Sequence, residues 1–307
     1  MVNQMKKEIL EHYLKYGIFT YPGLYEDYLK TLPDNIYELG VLIRKQEMHR
    51  VDLKKAMSED DNKIKREYPW YKPRCHDDML LTTPAMVGEL FRQDPRGFVY
   101  DRAIKDIIII TCRYVSVLTC SILKAKKIPC RSRAGFMGYI EENRLTDHWI
   151  NQYWNESENR WITIDLCEDE KSNIDKDLNL VDMYDDSFYF AANAWLDVRS
   201  GKVDLNRFDH GGSLKGLNIV AWQLFYDFHA LMNNELSYRF IPSYLDTDDE
   251  FYNLSIEELG DLDKLAELML DPNKNFDELK YLYISDKRYR SINSPLVGDH
   301  NYVGILD

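Results

Sequence analysis

The stretch TCRYVSVLTCSILKAKKIPCRSR, residues 111–133, decides how the rest of the chain is read. Val115, Leu118, Ile122 and Ala125 recur at helical spacing, so the segment predicts a helix from Thr111 to Lys127. Lys124, Lys126 and Lys127 put basic groups where helix carbonyls lack partners, and Ile128-Pro129 ends the helix. Thr111 reads as the N-cap, which places Cys112 in the first turn, where the helix dipole favours a negative sulfur. Beyond Pro129 come three strand-like runs, Cys130–Ile140, His148–Trp154 and Arg160–Leu166. The polar loop 155–159 joins the last two. A helix followed by an antiparallel meander is an α+β signature.

Upstream, residues 1–65 are mostly helical in pattern: Ile9, Tyr13 and Leu14 share a face, as do Leu24, Tyr28 and Leu29, and then Leu39, Leu42 and Ile43. Pro22 and Pro33 punctuate them, and the aromatic, proline-rich run 68–73 reads as an ordered connection. Downstream of Asp182, helices are expected over Phe188–Ser200, Leu214–Asn234 and Ser255–Leu270, the last opening with a Ser255/Glu258 capping box. The chain therefore divides into a helical region 1–75, a core 76–185 and a second helical region 186–307, expected to pack as one unit.

A thiol that attacks an amide needs a lowered pKa, a histidine to carry the proton and a third group to hold that histidine's tautomer. Cys112 at a helix start, His148 at a strand start and Asp165 near the end of the next strand can supply these three roles. If Trp154 pairs with Asn159, partners sum to 313 and His148 lies opposite Asp165 on one face. A register one residue longer would put them on opposite faces. Asp147, next to His148 in the strand, would point away from it, so Asp165 is the better orienter.

These residues resemble the transglutaminase-like superfamily. The carriers are Cys112-Arg113 opening a leucine-rich helix, Ile128-Pro129-Cys130-Arg131 after it, Asp147-His148-Trp149, and Trp161 to Asp165. The resemblance covers roughly Ile107 to Leu166. It extends more weakly through Asp94–Arg96, Ala194-Trp195, Asn206–Phe208 and Trp222 to Pro242, a longer pattern similar to bacterial transglutaminase-domain proteins of unassigned substrate. Where the family commonly has Gly before the nucleophile this chain has Thr111, and Lys127 replaces the Gly before Ile-Pro. The resemblance implies a papain-like fold and a Cys112–His148–Asp165 triad acting on a carboxamide through a thioester. Its oxyanion would be held partly by the Cys112 amide, with Gln93 and Trp70 as guesses for a second donor.

Composition narrows the partners. The 307 residues carry 39 Lys and Arg against 52 Asp and Glu, a net charge of −13, which disfavours nucleic acid and anionic membrane surfaces. Five cysteines without a secretory leader argue against a disulfide framework, the sequons at Asn155 and Asn253 carry no weight, and the expected compartment is the cytoplasm. Neither a cofactor nor a metal is expected. Cys75-His76 lacks a second ligand pair, and Asp246–Glu250 has Phe251 where a calcium loop needs glycine. Asp209–Gly212 reads as a turn with a lesser claim to line a cleft. Cys120 and His229 read as packing residues, Cys130 and Cys167 carry no mark of reactivity, and His12, His49 and His300 lack partners in sequence. The expectation is a cysteine peptidase, amidohydrolase or acyltransferase acting on a peptide, protein, or small amide or amine. The alternative is a catalytically silent binding or scaffold protein of the same fold.

Overall fold

A computed structural model describes residues 5–60, 62–77, 79–169, 173–210, 214–238, 240 and 254–291. Asp246–Glu250, Gly211-Gly212 and His300 lie outside the described residues. The N-terminal third forms helices α1 (Lys7–Leu14), α2 (Glu26–Leu29) and α3 (Ile36–Arg44), strand β1 (Glu47–His49), and helices α4 (Arg50–Ser58), α5 (Lys63–Glu67) and α6 (Thr83–Gln93). Strand β2 (Ile108–Ile110) leads into helix α7 (Cys112–Ala125), followed by strands β3 (Cys130–Met137), β4 (Leu145–Asn155) and β5 (Arg160–Ile164). Then come β6 (Phe188–Phe190), α8 (Ala191–Arg199), β7 (Phe208–His210), β8 (Leu214–Lys215), α9 (Leu217–Leu231), α10 (Ile256–Met269) and α11 (Phe276–Ser285). The class is α+β, with the helix-then-strands order in the middle of the chain. Among the described residues no helix is long and apolar enough to cross a membrane.

Contacts divide the chain into two units, one of Met1–Ser132 with Trp149–Tyr184 and the other of Arg133–His148 with Asp185–Asp307. This division cuts across the segments 1–75, 76–185 and 186–307. The reason is that β3 and β4, eight and eleven residues long, each run from one unit into the other.

In the first unit all fourteen residues of α7 are buried. A helix hidden on every side must find partners for its polar groups. Ser116 Oγ donates to the Ile150 carbonyl at 3.1 Å and shares a 2.9 Å bond with Ser132 Oγ, while Asn151 Nδ2 donates to the Ser116 carbonyl at 3.0 Å. Cys120 packs as expected, its sulfur 3.3 Å from that of Cys130. The helix ends as a Schellman motif: the Ile128 amide bonds the Leu123 carbonyl and the Lys127 amide the Lys124 carbonyl, both at 2.9 Å. Lys127 takes the left-handed position, φ +65°, where glycine is the unstrained choice. Arg131 ties β3 into this unit by donating to Gln152 Oε1 at 2.9 Å and lying 4.2 Å from the Trp161 ring.

The β4–β5 hairpin corrects the expected register. Trp154 pairs with Trp161 and Asn151 with Ile164, so partners sum to 315 and not 313. Asp165 therefore falls across from Ile150 instead of His148. The cause lies in the turn: Asn155 Oδ1 accepts from the amides of Ser157 and Glu158, and Asn159 adopts φ +51°, so pairing restarts only at Arg160. Because the change is two residues, the alternation of faces along β4 is preserved.

The second unit strings its strands in the order β6-β3-β4-β7-β8. Gly135 of β3 lies against β6 so closely that a Cβ there would sit 2.4 Å from the Tyr189 carbonyl oxygen. Arg133 and Asp227 form a buried two-pronged ion pair at 2.8 and 2.9 Å, and Asp227 Oδ1 also accepts the Ala134 amide at 2.9 Å. That bond anchors α9 to β3, and a fully bonded pair of this kind is far costlier to break than to bury. The Phe188–Ser200 segment starts as a strand and becomes helical only at Ala191. Ser255 and Glu258 form the capping box at the head of α10.

His229 is a packing residue. Its Nε2–H donates to the Tyr289 carbonyl at 2.7 Å, and burial pushes its pKa from 6.5 down to about 4, the Tyr289 bond pulling the other way. Between those values the unfolded chain binds a proton that the folded one refuses, so stability rises with pH through that window and is lost as pH falls. Wild type should lose up to about 1.4 kcal/mol per pH unit to this group below pH 6.5. His229→Gln, which keeps a donor, should lose that component in urea titrations across the window. At the end of α7, Lys127→Gly should raise stability by roughly 0.5–1 kcal/mol, relief of left-handed strain exceeding the entropy that glycine adds to the unfolded chain. The shift in urea midpoint measures it.

Candidate functional site

Cys112 owes its position to the strand before it. β2 pairs in parallel with β1, Met48 opposite Ile109. His76 grips the same residue from its other side, its amide donating to the Ile109 carbonyl at 2.7 Å and its Nδ1 accepting the Ile109 amide at 2.9 Å. The strand is thus held on two edges up to Ile110, and α7 begins two residues later. Cys112 is the first helical residue, only 5% exposed, and the first turn contains no acidic side chain. Thr111 occupies the N-cap position in extended conformation, but its side chain makes no capping bond and its buried Oγ1 has no partner. Its carbonyl instead accepts the amides of Tyr114 and Val115 at 2.9 and 3.3 Å. The expected capping hydroxyl is therefore absent, while the helix end that favours an anion remains.

Asp165 follows β5 in the same unit and is 1% exposed. Its amide donates to the Leu180 carbonyl at 2.8 Å, and its Oδ1 accepts the amides of Cys167 and Glu168 at 3.0 and 3.3 Å. The carboxylate is therefore built into a turn that fixes where it sits. Arg44 of α3 steadies that turn by donating to the Leu166 carbonyl at 3.2 Å.

Cys167 is the neighbour that sequence did not single out. Burial pushes its thiol well up, and the neighbouring Glu168, Glu47, Asp165 and Cys112 push it further in that order. One charge neighbourhood in the first unit thus contains both Cys112 and Asp165, with Cys167 held there as a neutral thiol. Glu47 belongs to it as well: burial first, then Glu168 and Asp52, raise its carboxyl, with Arg44 opposing. Glu47 Oε2 has no hydrogen-bond partner. No local pattern marks Cys167 or Glu47, because burial, the largest cause of both shifts, and the meeting of Glu47 with Glu168 arise only when segments 121 residues apart in sequence fold together.

His148 lies on β4 in the second unit, 2% exposed, with its ring centroid 6.4 Å from that of Phe188. Asp147 beside it accepts from Gln223 Nε2 at 3.2 Å. Of the three proposed catalytic residues, then, Cys112 and Asp165 share one unit and His148 belongs to the other. Of the two residues put forward as a second oxyanion donor, Gln93 donates through Nε2 to Glu89 at 2.5 Å and Trp70 is 85% exposed. Among the described residues no group of three or more His, Cys, Asp or Glu is arranged to hold a metal ion.

The turn at Asp165 separates two roles that one side chain could play. Asp165→Asn keeps the Oδ1 acceptor and should leave the unfolding midpoint close to wild type. Asp165→Ala strands two backbone donors and should cost about 1–3 kcal/mol in chemical denaturation. Compared with known proteins, the chain matches no protein-family model, no curated protein and no solved structure.

Proposed function

We propose that this chain performs cysteine-dependent amide chemistry of the transglutaminase-like kind, on a papain-like core, with Cys112 as nucleophile, His148 as base and Asp165 as the group that orients the histidine. The observation that carries the reading is the placement of Cys112 as the opening residue of a long buried helix whose first turn is free of acidic side chains. Such a site favours a thiolate through the helix dipole. A carboxylate fixed by two backbone amides in the same charge neighbourhood supports Asp165 as the third member.

In this scheme the Cys112 thiolate adds to an amide carbonyl carbon, and the tetrahedral oxyanion collapses as the C–N bond breaks. His148 gives the departing amine its proton, leaving a thioester on Cys112. Water then yields an acid, or an amine a new amide, each delivering a proton back to His148 as the C–S bond breaks and the Cys112 thiolate is restored. The net charge of −13 favours neutral or basic substrates, a peptide, protein, or small amide or amine.

One observation favours the second reading, a catalytically silent scaffold: at 5% exposure Cys112 offers a substrate little surface. Labelling with iodoacetamide separates the two, each cysteine being resolved by peptide mass spectrometry in wild type and His148→Ala. Cys75, an exposed residue whose thiol is held above its ordinary value chiefly by loss of solvent around the sulfur, is the internal reference. Cys112 should outpace Cys75 near pH 6 by tenfold or more, and should lose that advantage without His148. Equal or slower labelling of Cys112 in a folded protein would put the scaffold reading ahead.

A further inference from the structure

The first unit contains a cleft of about 450 Å³ that none of Cys112, His148 and Asp165 lines. It lies along the proline-rich run expected to be an ordered connection, which the Tyr68 hydroxyl braces by donating to the Pro73 carbonyl. Its size is that of a small-molecule site. Tyr71, Met79 and Leu80 give it an apolar wall.

Two polar groups on that lining have work left undone. His76 is 3% exposed, and its Nδ1 accepts the Ile109 amide, which fixes the lone pair on Nδ1 and the proton on Nε2. Among the described residues no acceptor takes that Nε2–H, and the ring borders the cleft. Burial above all lowers the His76 pKa and so keeps this neutral, donating form. Lys72 is the second. Its ammonium donates to the Lys105 carbonyl, and no carboxylate of the described residues pairs with it. The other cations of the lining are already neutralised, Arg92 by Glu89 at 2.7 Å and Lys105 by Asp106 at 2.9 Å. Among the described residues its lining therefore carries one surplus positive charge, on a chain whose net charge is −13.

We propose that this cleft binds a small organic carboxylate, its anionic end held by the Lys72 ammonium and the His76 Nε2–H and its apolar body against Tyr71, Met79 and Leu80. An inorganic anion would use the two donors but leave the apolar wall and most of the volume idle. A neutral apolar ligand would bury Lys72 without a counter-charge, at a cost of desolvation. The site is independent of the triad and stands whether or not Cys112 is a nucleophile.

The test is a titration of the full chain with 1-naphthaleneacetate and with its neutral isostere 1-naphthaleneacetamide, followed by ligand fluorescence. The acid should bind saturably and about tenfold or more tighter than the amide, the loss expected for one charge-assisted bond. Lys72→Met should bring the acid down to the amide's affinity, whereas Lys72→Arg should retain the preference. The Nε2 nitrogen resonance of His76 should shift on titration with the acid. Equal binding of acid and amide by wild type would overturn the proposal, as would no saturation at millimolar acid or an unchanged affinity in folded Lys72→Met. Should Lys72→Met fail to fold, the acid-against-amide comparison on wild type still decides.

Discussion

The full burial of α7 is the constraint on which the first unit depends. A fourteen-residue helix with no face toward water has to satisfy Arg113 and Ser116 from outside itself, and it recruits distant segments to do so. The Arg113 guanidinium lies 4.6 Å from the Phe19 ring and 4.7 Å from that of Tyr114, and reaches the Leu81 carbonyl at 3.4 Å. Ser116 needs β3 and β4, and Tyr114 bonds the Asp77 carbonyl at 2.5 Å. Satisfaction is incomplete: the hydroxyls of Thr111, Thr119 and Ser121 are buried without a partner. Such groups cost stability, so the apolar packing around α7 must outweigh them. Fixing the helix this way also fixes the location of Cys112, since the residue at its N-terminus moves only if the whole helix does.

What could be read in advance was what depended on local chemistry. The helix over 111–127 and the capping box at Ser255 follow from periodicity and from side chains within one turn of each other, and both are found. The hairpin register could not be read the same way, because Asn155 and Asn159 place the four-residue turn one position later than expected, Asn155 pairing with Arg160. The parallel pair β1–β2 has three residues a strand joined across some sixty positions, too short to carry a periodic signal. For the candidate site, residue type and order put forward Cys112, His148 and Asp165. They could not show the turn that seats Asp165 or the charges gathered round Cys167, since Glu47 lies far away in sequence.

Lys127 and Thr111 make different demands on the backbone. The family commonly places glycine before Ile-Pro, and this chain has lysine there, yet the backbone adopts the left-handed conformation that glycine would take at no cost. The turn between α7 and β3 thus has a shape that glycine makes easily, with lysine in that place. At Thr111, the other place where a glycine is usual, the backbone is extended, φ −115° and ψ 174°, which any residue adopts. The two departures therefore differ in kind, one strained and one not.

The passage of β3 and β4 between the two units also bears on how the chain is made. Neither unit is a continuous piece of sequence, since residues 133–148 of the second interrupt the first. On a ribosome, α7 is complete at Ala125, but Asn151 and the Ile150 carbonyl, which bond Ser116, arrive some twenty-five residues later. Until then a helix built to be dry on all sides stands exposed, and the first unit cannot close until the strands of the second have begun to emerge. The chain's own topology thus rules out finishing one half before starting the other.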